Sequence, residues 1–267
     1  MISNLQLLGI FFSLAVSVGF PLTLLLVWRR KTRAPFSAAA VGAAMFFLFA
    51  MVLEQLLHHA VLRPGGYILT HPWAYILYGT LAAGIFEETG RLVGFRFLLR
   101  KHSGKETGVM YGIGHGGMEA LLVCALNMAL DLVLAFRLNA AGGDASVLSA
   151  GYQTLAASLQ TTPAGLLAVS GVERVIAVCF HIALSVLVFE AVKRPGKLWL
   201  YPAAILLHAG LDVFATLYQL GILKNIYALE GLIALAALAV CLPACRVYRL
   251  DRAEEKMEIP EESAENG

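Results

Sequence analysis

Residues 84–119 read GIFEETGRLVGFRFLLRKHSGKETGVMYGIGHGGME. Glu87, Glu88 and Arg91 stand together inside an apolar run, and a second run begins a few residues later and carries His115 and Glu119. Insertion scales put a charged side chain at the centre of a membrane helix at about 2.5 to 3.5 kcal/mol. Glu87, Glu88 and Arg91 would therefore cost roughly 8 to 10 kcal/mol if they faced lipid. They must face a polar cavity or one another.

A membrane setting follows from composition. Of 267 residues 59% are hydrophobic and 14% charged, with a mean hydropathy of +0.74, far from the balance of a soluble domain. A hydrocarbon layer about 30 Å thick takes roughly 20 apolar residues per helix. Seven segments qualify, at about 5–28, 37–59, 72–100, 107–138, 172–192, 198–220 and 225–248. The third and fourth exceed the need, which suggests tilt or a break near their glycines. The N-terminus lacks a basic leader region and reads as a retained span. The fold class expected is thus an all-α, polytopic membrane helix bundle.

Charge in the connections orients that bundle. Alternate connections, with the end of the chain, carry 14 Lys and Arg, at 29–33, 100–105, 193–197 and 246–256. The others carry only 4, Arg63, Arg137, Arg174 and Lys224. By the positive-inside rule the N-terminus lies outside and the C-terminus in the cytoplasm. Residues 1–248 form a single transmembrane domain. Residues 249–267, acidic and poor in large apolar side chains, read as a disordered cytoplasmic tail. The connection 139–171 reads as an irregular loop, with a short surface helix at about 146–160 as the alternative. Cys124, Cys179, Cys241 and Cys245 show no ligand spacing and read as small apolar packers.

Polar residues on other helices fall at matching depths. At about 100° per residue Arg91 lies angularly between Glu87 and Glu88, so one arginine can hold one carboxylate and leave the other free. His115 with Glu119, and His208 with Asp212, are each i,i+4 and share a face; His181 lies mid-helix in the fifth segment. A lattice of ion pairs would explain Glu87 with Arg91 alone. It does not explain three added imidazoles, which are what proton transfer or metal ligation uses. Glu54, His58 and His59 read as a solvated helix end. Glu173 reads as a helix-capping residue and Arg174 as a snorkelling one, with support of His181, only about 20° round the same helix, as the alternative for Arg174; Glu190 reads as surface pairing. Asn127 and Asp131 turn away from Glu119.

EETGR at 87–91, GHGGME at 114–119, His181 in VERVIAVCFH and HAGLD at 208–212 together resemble the YhfC family. That family is a bacterial branch of the intramembrane protease group that includes PrsW and the CAAX prenyl endopeptidases. The resemblance implies an intramembrane endopeptidase in which a glutamate activates water for peptide hydrolysis. By position it makes Glu87 or Glu88 the general base with Arg91 as charge partner. His115 and Glu119 would flank the water or a metal, His208 would polarise the scissile carbonyl, and His181 would support them. The CAAX branch has three residues between its second Glu and the Arg, whereas only Thr89 and Gly90 stand here. Its last motif often ends in Asn; Asp212 cannot donate when ionised, so orienting His208 suits it better.

A metal-free glutamate mechanism is the first expectation. Zinc or another divalent metal on His115, Glu119, His181 and His208 is the alternative, since three ligands and an open position would suffice. The partners expected are the lipid bilayer and a membrane-embedded or lipid-modified peptide, with no nucleic acid. The location expected is the bacterial plasma membrane. A proton-coupled transporter and a non-catalytic membrane scaffold are the competing functions, because glutamate and histidine chains also conduct protons.

Overall fold

A computed structural model of the chain describes the backbone of residues 1–258 and the side chains of residues 1–249. Among the described residues there are helices and no strand. The order is α1 (Asn4–Thr32), α2 (Phe36–Val61), α3 (Pro72–Val93), α4 (Glu106–Ala140), α5 (Ala150–Thr161), α6 (Ala164–Lys193), α7 (Leu200–Gln219) and α8 (Ile226–Glu258). Six of them, α1, α2, α4, α6, α7 and α8, are long and apolar enough to cross a membrane. Helix α3 has the length, 22 residues, but carries Glu87, Glu88 and Arg91. The chain is a multi-pass integral membrane protein, and each of the seven apolar segments read from the sequence falls on one of these long helices. The acidic tail expected over 249–267 falls almost entirely outside the described side chains.

Local chemistry sets the helix ends. Ser3 and Gln6 form a capping box at the start of α1. Arg33, in the left-handed region at φ 59°, closes it by donating its N–H to the Arg29 carbonyl. Arg29, Arg30 and Lys31 then sit in the last turn, where cations suit the helix dipole. Pro72 occupies the first turn of α3, where its missing N–H costs nothing.

Two expectations about the 139–171 connection are corrected. Helix α6 begins at Ala164, not near 172, because the extended Pro163 sits at its N-cap and the apolar run after it simply continues the helix. The stretch read as irregular instead forms α5, with Ala156 and Leu159 buried. It is tied to the N-terminus: Gln6 Nε2 donates to the carbonyls of Leu159 (3.1 Å) and Thr162 (2.8 Å).

Helix α6 is the centre of the bundle, with 67% of its apolar window buried. Helices α1, α4 and α8 pack along it, α2 packs on α4, and α3 on α7. Three π-helical stretches interrupt the ladder, at Phe47–Glu54, Gly94–Leu98 and Ala120–Ala125. The last two lie directly after the charged groups of α3 and α4. The glycines of α4 do not break it; they admit neighbours. A Cβ on Gly114 would stand 2.0 Å from the Ala39 carbonyl oxygen, and one on Gly42 2.2 Å from that of Tyr111. The backbones of α2 and α4 therefore meet with nothing between them.

That contact predicts a cost for the smallest side chain. Gly114→Ala should lower stability by about 1 to 3 kcal/mol or more, as overpacking does, whereas Gly19→Ala, with nothing within 4 Å, should not. Thermal unfolding of both purified variants in detergent checks this.

Candidate active site

Four helices converge on one buried cluster. Helix α3 supplies Glu87, Glu88 and Arg91, α4 supplies His115 and Glu119, α6 supplies His181, and α7 supplies His208 and Asp212. Glu88, Arg91 and His115 are fully buried, and Glu87, His181 and His208 nearly so. Arg91 is the hub. It donates from Nη1 to Glu88 Oε1 (2.5 Å), from Nη2 to His181 Nδ1 (2.6 Å) and from Nε to Ser185 Oγ (3.2 Å). Its Nη2 lies 3.8 Å from Glu87 Oε2.

The two adjacent glutamates are consequently unequal. Glu88 Oε1 accepts from Arg91 and also from His208 Nδ1 at 2.7 Å. Glu87 is the meeting point of the imidazoles: His115 Nε2 lies 2.9 Å from its Oε2, His181 Nδ1 3.8 Å from the same oxygen, and His208 Nε2 3.9 Å from Oε1. Glu87 also retains some exposure where Glu88 has none. The arginine holding one carboxylate and sparing the other, as the helical angles imply, is what the distances give.

His208 Nδ1 must carry the hydrogen, because its partner Glu88 is an acceptor. That leaves Nε2 with an electron pair facing Glu87. Asp212 lies 3.6 Å from the same Nε2, beyond hydrogen-bond reach, so Glu88 and not Asp212 orients His208. Asp212 remains the most exposed acid of the cluster, with a side chain 29% exposed.

Glu119 turns towards α6. Arg174 Nη1 donates to its Oε1 at 2.6 Å, and His181 Nε2 is in close contact with its Oε2. Arg174 also pairs with Glu173. Around these charges stand aromatic walls. Phe46 meets His115 edge-on at 5.1 Å between ring centroids, and Phe180 meets His208 likewise at 5.8 Å. The three imidazoles themselves are 5.2 and 5.5 Å apart, centroid to centroid.

Three residues read as peripheral from the sequence lie inside. Arg174 is buried against Glu119 and does not snorkel. Glu54 is buried and pairs with His58 at 3.2 Å, whose Nδ1 meets the Tyr78 hydroxyl at 2.9 Å. Glu190 is buried as well, with Lys197 at 3.2 Å. The signal for Arg174 was its spacing of seven residues, two turns, from His181. Asn127 and Asp131 stay away from the cluster, lining a separate cavity with Leu155 and Ser158.

Charge and donor chemistry together suit a divalent cation. The carboxylates of Glu87, Glu88, Glu119 and Asp212 outnumber the guanidiniums of Arg91 and Arg174, so their remaining partners are the imidazoles of His115, His181 and His208. Glu87, His115 and His181 each offer a ligand atom, all within 4.8 Å of one another. One carboxylate and two imidazoles are a set that catalytic zinc sites use. This differs from the set expected from sequence, since Glu119 backs His181 and His208 faces the other oxygen of Glu87.

Comparison with known proteins agrees with this chemistry. Residues 12–233 match the family model described as YhfC intramembrane metalloprotease, a span that contains every residue of the cluster. The "Uncharacterized membrane protein YhfC" of Bacillus subtilis (strain 168) is 36% identical over 252 residues, covering 90% of this chain and 97% of that one. No solved structure matches. The chain belongs to the YhfC intramembrane metalloprotease family.

Proposed function

We propose that the chain is an endopeptidase of the bacterial plasma membrane that hydrolyses a peptide bond of a membrane-embedded substrate, with Glu87 as the carboxylate that activates water. The observation that carries this reading is the environment of Glu87, the one glutamate of the pair whose carboxylate faces three imidazoles at 2.9 to 3.9 Å. Glu88 is spoken for by Arg91 and His208 and serves to hold them.

Glu87, His115 and His181 would hold a divalent metal, zinc being the natural fit to this donor set. When bound, such an ion polarises a carbonyl oxygen and makes a coordinated water acidic near neutral pH. The chain's own residues manage the protons. Glu87 Oε1 and His208 Nε2, 3.9 Å apart, can share one water at hydrogen-bond distance from each, and Glu87 takes its proton as the oxygen attacks the peptide carbon. His208, steadied by Glu88 as a histidine is by the carboxylate of a catalytic triad, receives that proton from Glu87 on Nε2 and delivers it to the amine as the carbon–nitrogen bond breaks. Arg91 keeps Glu88 in place throughout. The closed, water-poor surroundings strengthen each of these contacts.

Membranes from cells lacking the chain, incubated with the purified protein and scanned by mass spectrometry for new peptide termini, should reveal cleavage. Glu87→Gln should lower that cleavage about 10²- to 10⁴-fold, the usual share of a general base, while the protein stays folded. Undiminished cleavage by folded Glu87→Gln protein refutes the reading. Glu88→Gln should behave differently, because it leaves Arg91 with an uncompensated buried charge. It should lower stability by about 3 to 5 kcal/mol along with activity, which thermal unfolding separates from the Glu87 variant. Stripping metal with a chelator should abolish cleavage, and zinc should restore it. Elemental analysis of the pure protein gives the independent check.

A further inference from the structure

We propose that Arg174, acting through Glu119, is a positioning residue that fixes the tautomer of His181 and so presents His181 Nδ1 to the Glu87 side of the cluster. The proposal rests on the reading of Glu87, His115 and His181 as a ligand set, but its geometry stands by itself. Arg174 and His181 are two turns apart on α6 and share a face, with Glu119 of α4 between them. Arg174 is buried and grips Glu119 Oε1 through Nη1 at 2.6 Å, while Nη2 is anchored on Glu173. The other oxygen of Glu119 meets His181 Nε2.

Two partners of His181 then specify the same ring state. A carboxylate only accepts, so the hydrogen belongs on Nε2. Arg91 Nη2, which only donates, stands 2.6 Å from Nδ1, so Nδ1 must hold an electron pair. That nitrogen lies 3.8 Å from Glu87 Oε2, and its one electron pair, held by Arg91 in the metal-free chain, is the pair a metal would need. Arg91 alone would leave Nε2 uncommitted and the ring free to turn about its Cβ–Cγ bond. Glu119 stops that rotation, and Glu119 in turn keeps its rotamer because Arg174 holds its other oxygen. Metal-bound histidines are commonly fixed by a carboxylate on the second ring nitrogen; here the carboxylate is itself fixed by a buried guanidinium from the helix that carries the histidine.

The test uses the full chain in lipid nanodiscs with zinc as the probe, and two readouts. Nitrogen-15 shifts of the histidine rings report the His181 tautomer without metal, and competition with a chromophoric chelator reports zinc affinity. Arg174→Gln should blur the single Nε2–H signature and weaken zinc binding about 10- to 100-fold. Arg174→Lys, which can still reach Glu119, should recover part of both. Asp131→Asn should change neither, since Asp131 lines a separate cavity away from the cluster. An unchanged tautomer with zinc affinity within twofold of the parent in Arg174→Gln overturns the proposal. If that variant does not fold, Glu119→Gln is read in its place with the same two outcomes, because an amide there can donate as well as accept. A parent chain that binds no zinc would count against the ligand set alone, and the ring shifts would still decide the role of Arg174.

Discussion

Arg91 is the constraint on which the rest of the structure depends. A guanidinium with no exposed surface in the middle of an apolar bundle must be surrounded by acceptors, and its planar fork presents donors in fixed directions. Glu88, His181 and Ser185 answer three of those directions from two helices, with Glu87 alongside. Once Arg91 is placed, Glu88 is committed, His208 is drawn to Glu88, and Glu87 is the carboxylate left to face the imidazoles. Each later contact is the consequence of satisfying one buried charge.

Such a network needs helices that come close enough for short side chains to meet. The glycines of GIGHGG in α4 provide this, with Gly114 against Ala39 of α2 and Gly112 against Ile182 of α6, where a Cβ would come within 2.6 Å of the Ile182 Cα. His115 is brought into contact with Glu87 of α3 because its own helix has almost no side-chain bulk on either flank. The spacing of small residues and the spacing of the site residues are therefore one design feature, readable as a single motif.

Much of this was legible in the sequence. Ionisable residues in apolar runs are costly, so Glu87, Glu88, Arg91, His115, His181 and His208 announced themselves, and the helical angles within α3 put Arg91 between the two glutamates without saying which it would hold; that choice came from the packing of α6 and α7 around it. Arg174 was misplaced because α6 was expected to begin near residue 172, which puts that arginine at a membrane surface. With the start at Ala164, Arg174 lies three turns inside. Glu54 was misplaced because a π-helical stretch ends on it, and regular helical angles do not follow a chain through such a stretch. Ser185 carried no signal at all; a serine in an apolar helix normally satisfies itself on the preceding turn, as this one does on the His181 carbonyl at 2.7 Å.

The π-helical stretches have a further meaning. Each widened turn accommodates about one residue more than an α-helix would, and so rotates everything beyond it by roughly 100° relative to what came before. In α4 the stretch comes directly after the site residues and the helix then runs on to Ala140, whereas the stretch at Gly94–Leu98 ends the helix that carries Glu87. In α4 the half that builds the site is thereby angularly offset from the half that follows it. Residues 126–140 of α4 can therefore present a different face to their neighbours than a regular helix would, while His115 and Glu119 keep theirs towards the cluster. Along the length of a single helix, one set of residues aims the site and another holds the helix among its neighbours.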